Sequence, residues 1–133
     1  ITGSITMKNE LFKLADKRIT EALGEGAIQD LSPDQKTEPR GNYINSAKRV
    51  IRPGNTQEVS LVMSILNDLC INIIPYCGGT GLVGGQMAPT SEYFLLSLDK
   101  MNTLRSSSTR DGTLTVEAGM ILSDVQSHAR KIN

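Results

Sequence analysis

The chain has no tryptophan, a single histidine (His128), two cysteines, and only three tyrosines and two phenylalanines. One histidine with Cys70 and Cys77 cannot assemble an ordinary structural zinc site, and the two cysteines show no metal-ligand spacing. Both read as free thiols of a reducing compartment, and the protein is expected in the cytoplasm. Charge of one sign is also missing, with 14 basic residues against 14 acidic ones. The field that draws proteins to nucleic acid or to anionic membrane is therefore absent. No apolar run approaches the ~20 residues that span a bilayer, and the start lacks the charged-then-apolar order of a signal peptide. Residues 1–6 precede Met7 and read as an appended lead-in.

What is present suits one domain, since a chain of 133 residues buries roughly two-thirds of its unfolded surface. Leu11, Ala15, Ile19 and Ala22 recur at helical spacing from Met7 to Leu23, and Gly24 stands at a left-handed C-terminal cap. Glu25 to Ala47 is irregular, with Pro33, Pro39 and Gly41, and holds at most one helical turn. A short strand at Lys48–Arg52 runs into Pro53-Gly54, and Asn55 or Thr56 caps a helix bearing Val59, Val62, Met63, Leu66 and Cys70 on one face. Ile71, Ile73 and Ile74 follow as a strand, so the order β-α-β predicts parallel strands with a right-handed crossover. Tyr93–Leu98 reads as a buried strand and Thr113–Glu117 as a half-exposed one. Ser123 and Gln126 are spaced for a capping box on a last helix with Leu122, Val125, Ala129 and Ile132. Met63 and Met101 are expected in the core, His128 on a solvated helix face, and Arg49, Arg52 and Arg110 as solvated or loop-anchoring.

The densest signal is Cys-Gly-Gly-Thr-Gly-Leu-Val-Gly-Gly over Cys77–Gly85. So many glycines cost backbone entropy, and their benefit is a bare backbone whose N–H groups can converge on an anion such as a diphosphate, with the Thr80 hydroxyl as an added donor. The plain alternative is a turn that lets strands pack closely. Gly79, Gly81 and Gly84 formally fit G-x-G-x-x-G, with Asp99 where a ribose-binding acid would stand. That fingerprint requires a helix opened by the loop, and Gly85, Pro89 and the short span to Tyr93 leave no room for one. A Walker loop fails as well, for no Gly-Lys-Ser/Thr follows.

Val50-Ile-Arg-Pro-Gly-Asn-Thr-Gln-Glu-Val59, Ile74-Pro75, Gly78-Gly-Thr-Gly-Leu-Val-Gly-Gly85, Leu98-Asp-Lys-Met-Asn102 and Val116-Glu-Ala-Gly119, in this order, resemble the FAD-binding domain of the vanillyl-alcohol oxidase superfamily. Within it the chain is most similar to the branch of D-lactate, glycolate and D-2-hydroxyglutarate dehydrogenases. The resemblance runs from about Leu11 to the end of the chain. It implies an α+β, PCMH-type domain: a small parallel βαβ subdomain with helices over 7–104, then the start of an antiparallel subdomain over 105–133, in a chain that looks truncated.

The resemblance further implies that FAD lies between the subdomains, with Cys77, Gly78, Gly79, Thr80, Gly81 and Leu82 on its pyrophosphate. Gly84 and Gly85 close the loop, and Gly119 approaches the cofactor. Covalent members place a histidine at the position of Thr80, so FAD is expected to be non-covalent here. Cys77 takes a family glycine position and is expected to be only a small loop residue. The whole enzyme would oxidise a small D-2-hydroxy acid to the 2-oxo acid. Catalytic and metal-binding residues are expected in none of this chain, which alone would be inactive, hold FAD weakly and self-associate along an exposed strand edge. A non-catalytic flavin-binding or structural fragment is the alternative, and an NAD-binding Rossmann-type domain the third reading.

Overall fold

The structure is a computed structural model that describes residues 2–132. Two sheets organise it. The larger has the order β1 (Ile28–Gln29), β2 (Arg49–Ile51), β4 (Tyr93–Ser97), β3 (Asn72–Tyr76), with β1 antiparallel to β2 and both β2 and β3 parallel to β4. β5 (Leu104–Ser108) and β6 (Thr113–Val116) form a separate antiparallel hairpin. The β-α-β expectation holds in direction but not in adjacency, because β4 comes later in the chain and inserts between β2 and β3.

α1 (Thr2–Leu23) and α3 (Thr56–Asp68) cover one face of the larger sheet. Phe12, Ala15 and Ile19 of α1 meet Val62, Ile65 and Leu66 of α3 over Ile51, Phe94 and Leu96. The rings of Phe12 and Phe94 are 5.0 Å apart and tilted. Strand alternation sends Val50, Leu95 and Tyr76 to the opposite face, where Leu31, Ala47 and Ile74 pack on them. The irregular segment before β2, including α2 (Pro33–Lys36), thus lies on the face away from the helices.

Local chemistry sets the ends of these elements. Asn55 caps α3, its Oδ1 accepting from the Glu58 amide at 2.9 Å, while the Glu58 carboxylate accepts from the Gly54 amide at 2.7 Å. At the other end Cys70 adopts φ 51°, its N–H donating to Asn67 O, with Ile71 N donating to Leu66 O. That is a Schellman motif with cysteine where glycine is usual. α1 ends on Gly24 at φ 94°, as expected.

Two expectations fail. Met63 is 43% exposed, since the buried stripe of α3 runs through Ile65 instead. α4 (Leu122–Ile132) begins at Leu122, so Ser123 lies inside the helix and no capping box with Gln126 forms. Thr113–Val116 pairs with Leu104–Ser108 alone, so the outer edge of each strand in this hairpin is left without a strand neighbour. Met101 is buried, as expected.

Candidate functional site

β3 delivers Tyr76 to the carboxyl edge of the sheet, and residues 77–92 form a loop back to β4 with no helix among them. The helix that a dinucleotide fingerprint would open is therefore missing, which removes the physical basis of the Rossmann reading. Among the described residues, no backbone N–H from Cys77 to Gln86 donates to a protein acceptor; donation resumes with Met87 N to Gly84 O and Ala88 N to Asn45 Oδ1. A run of unpaired, accessible amides in a glycine-rich turn is a set of partial positive charges without a partner, and it fits an anion.

The glycines fall into two groups by what a Cβ would meet. At Gly79 it would lie 2.2 Å from the Tyr76 hydroxyl, at Gly81 2.3 Å from Gln86 Oε1, and at Gly84 3.3 Å from the Tyr43 ring. Gly79 and Gly84 also hold φ of +67° and +75°. These three are bare because the protein itself presses on them. A Cβ at Gly78 or Gly85 would meet nothing within 4 Å, so those two face open space. Cys77 has no positive φ, and its thiol is accessible, while partial shielding pushes its pKa above the ordinary 9.0. The site therefore carries a small loop residue there and not an activated thiolate, as expected.

Side chains far from the glycine run hold it in place. Asn45, buried, accepts from Ala88 N at 3.1 Å and from Ala47 N at 3.2 Å, and Ser46 N donates to Ala88 O. The nearly buried Glu38 carboxylate accepts from the Arg40 and Asn42 amides and shapes the turn that presents Tyr43 to Gly84. The Tyr76 hydroxyl donates to Asp34 O at 3.3 Å, its pKa raised first by burial and then by Asp34. Together these walls enclose a hollow of about 460 Å³ between α2 with the turn after it and the loop, bordered by Pro33, Glu38, Tyr76, Gly78, Gly79 and Thr80. No lysine or arginine is among the residues that border it, while Asp34 and Glu38 are, so the donors it offers an anion are those of the glycine loop on its far wall.

Gly119 and Asp99 sit elsewhere. A Cβ at Gly119 would lie 1.8 Å from Leu98 O, and its N–H is taken by Met101 O at 2.8 Å. Glycine is thus required there for the crossing of the hairpin over the 98–101 turn. Asp99 is bound by Arg52 and by Ser97 Oγ, which pull its pKa below 3.8, so it anchors the turn and is not available as a ribose acceptor. Arg52 and Arg49, the latter 2.8 Å from Asp16, serve as anchors. His128 is half-buried on α4. No group of three or more His, Cys, Asp or Glu among the described residues could hold a metal. Among the described residues no helix is long and apolar enough to cross a membrane.

Comparison with known proteins agrees with this geometry. A D-2-hydroxyglutarate dehydrogenase, mitochondrial, of Arabidopsis thaliana is 31% identical over 130 residues, covering 92% of this chain and 23% of that protein. A D-2-hydroxyglutarate dehydrogenase of Xanthomonas citri pv. viticola is 39% identical over 79 residues, 59% of this chain and 16% of that one. The chain thus spans about a quarter or less of these relatives. Its fold matches p-cresol methylhydroxylase with TM-score 0.79 at 20% identity, over 93% of this chain and 25% of that one. It also matches 4-ethylphenol oxidase from Gulosibacter chungangensis with TM-score 0.78 at 23% identity, over 92% and 25%. Both likenesses are of the fold, which is the PCMH-type fold. The FAD binding domain family model matches residues 47–133, which takes in the glycine loop and the whole hairpin. The chain therefore belongs to the FAD binding domain family, with FAD as its cofactor.

Proposed function

We propose that this chain is the pyrophosphate-holding portion of a dehydrogenase that oxidises a D-2-hydroxy acid of the D-lactate, glycolate or D-2-hydroxyglutarate type. The observation that carries the reading is the run of unpaired amides from Cys77 to Gln86 beside an open hollow. Support for the substrate class comes from the relatives named D-2-hydroxyglutarate dehydrogenase. When bound, FAD supplies the two-electron acceptor for the substrate carbon. The residues of this chain bind and orient it: the amides of Cys77 to Leu82 meet the diphosphate, Gly78 and Gly85 leave its approach open, and Gly84 closes the turn against Tyr43. Gly119 supports the cofactor indirectly, by fixing the hairpin against the 98–101 turn. Thr80 offers a hydroxyl donor and no covalent link. The free thiols suit a reducing compartment, either cytoplasm or mitochondrion, the latter being in the name of the Arabidopsis relative.

Titration of FAD into the chain tests the reading. Binding weaker than micromolar is expected, because a long dinucleotide is immobilised by few contacts. Acid precipitation should leave all flavin in the supernatant. A longer protein carrying this segment should reduce an artificial electron acceptor with one of the three acids. Failure with all three, with FAD retained, would remove the substrate class and leave the cofactor role.

A further inference from the structure

We propose that Gln86 is the positioning residue of the loop, and that it aims the N–H groups of Thr80 and Leu82 at the anion. The inference rests on the cofactor reading above. Gln86 Nε2 donates to Gly79 O at 3.2 Å and to Gly81 O at 2.8 Å, so its two hydrogens are spent on two carbonyls of the glycine run. A trans peptide unit is planar, with the C=O of one residue and the N–H of the next pointing in opposite directions. No peptide bond among the described residues is cis. Holding the Gly79 and Gly81 carbonyls on the Gln86 side therefore turns the amides of Thr80 and Leu82 to the other side.

Without the clamp, two of the glycine-flanked peptide planes are free to rotate, and the same carbonyls can swing toward the diphosphate and repel it. The bareness of Gly81 has the same origin. A Cβ there would collide with the Gln86 side chain, which lies over the loop. The backbone of Gln86 is held from behind, its main-chain carbonyl accepting from Asn45 Nδ2 at 3.4 Å. Gln86 thus couples the turn before β2 to the donors of the loop without touching the ligand.

The test uses the ¹⁵N-labelled chain and ADP as the diphosphate probe, read by amide chemical shifts. In the parent chain the largest downfield shifts should fall on Thr80 and Leu82. Gln86→Leu should bind ADP about tenfold or more weakly, since two aimed donors to a charged group are lost, and those two shifts should disappear. Its unfolding midpoint should stay close to that of the parent. Gln86→Glu keeps the length but offers no hydrogen at pH 7, and it should lose the same two shifts. If both variants bind ADP within twofold of the parent through the same amides, the positioning role is overturned and the cofactor reading stands. If the parent shows no ADP-dependent shift anywhere in residues 77–86, both fall.

Discussion

Gly78 and Gly119 belong to the same resemblance, yet their surroundings give them different work. Gly78 faces open space without positive φ, so Gly78→Ala should change stability by no more than about 0.5 kcal/mol while weakening FAD or ADP binding. Gly119→Ala pushes a methyl onto a backbone oxygen that cannot rotate away, and it should cost more than about 2 kcal/mol in urea unfolding. An unaffected affinity in the first or an unaffected midpoint in the second would reverse these assignments. Cys77 offers a further check. Its thiol titrates above 9.0 because burial disfavours the thiolate, so at pH 7.5 iodoacetamide should modify it more slowly than in the urea-unfolded chain, the gap narrowing as pH rises past 9. A faster reaction in the folded chain would show an activated thiol. At this scale the sequence disclosed the loop because glycine density is local. Gln86, Tyr43 and Asn45 stayed hidden because their contacts come from folding: Asn45 meets Ala88 across 43 positions, and nothing in a lone glutamine marks it as a clamp.

Among the elements, the end of α3 carries the clearest unspent stability. Cys70 occupies the left-handed position that costs an L-residue ~1 kcal/mol, while its two cap hydrogen bonds are already made. Cys70→Gly should therefore raise stability by about 0.5–1 kcal/mol and the melting temperature by roughly 2–4 °C. A lower melting temperature would mean that the thiol packs in a way glycine cannot replace. The helices and β4 were legible because their apolar periods are strong. β1 is only two residues long, and β5 reads Leu-Arg-Ser-Ser-Ser, too polar to announce a strand. Its pairing with β6 is imposed by the chain reversal at Thr109–Gly112 and by Glu117, whose carboxylate accepts from Thr103 N and Arg105. The Ser123–Gln126 pattern misled because the helix starts at Leu122, two residues before a Ser123 cap would start it, which moves both side chains off the cap.

Across the whole molecule, the sheet order decides when the parts can exist. β2 and β3 leave the ribosome before β4, and neither pairs with the other; both wait for the strand that fills the gap between them. Phe94 and Leu96 then complete the helix-side core, and Leu95 completes the opposite one. A chain ending at residue 92 should show no cooperative thermal transition by circular dichroism, whereas one ending at 103 should keep it at a lower midpoint. A cooperative transition in the shorter chain would mean that β2 and β3 can pair without β4. Residues 77–92 are therefore a connection whose two ends become fixed only when β4 docks. Docking fixes the β3 edge and brings Ser46 and Asn45 against Ala88, so the converging amides take shape in one of the last steps of folding. If this loop holds the flavin as proposed, cofactor capture is confined to chains that have already built their core, and a nascent or misassembled chain offers the flavin nothing to hold.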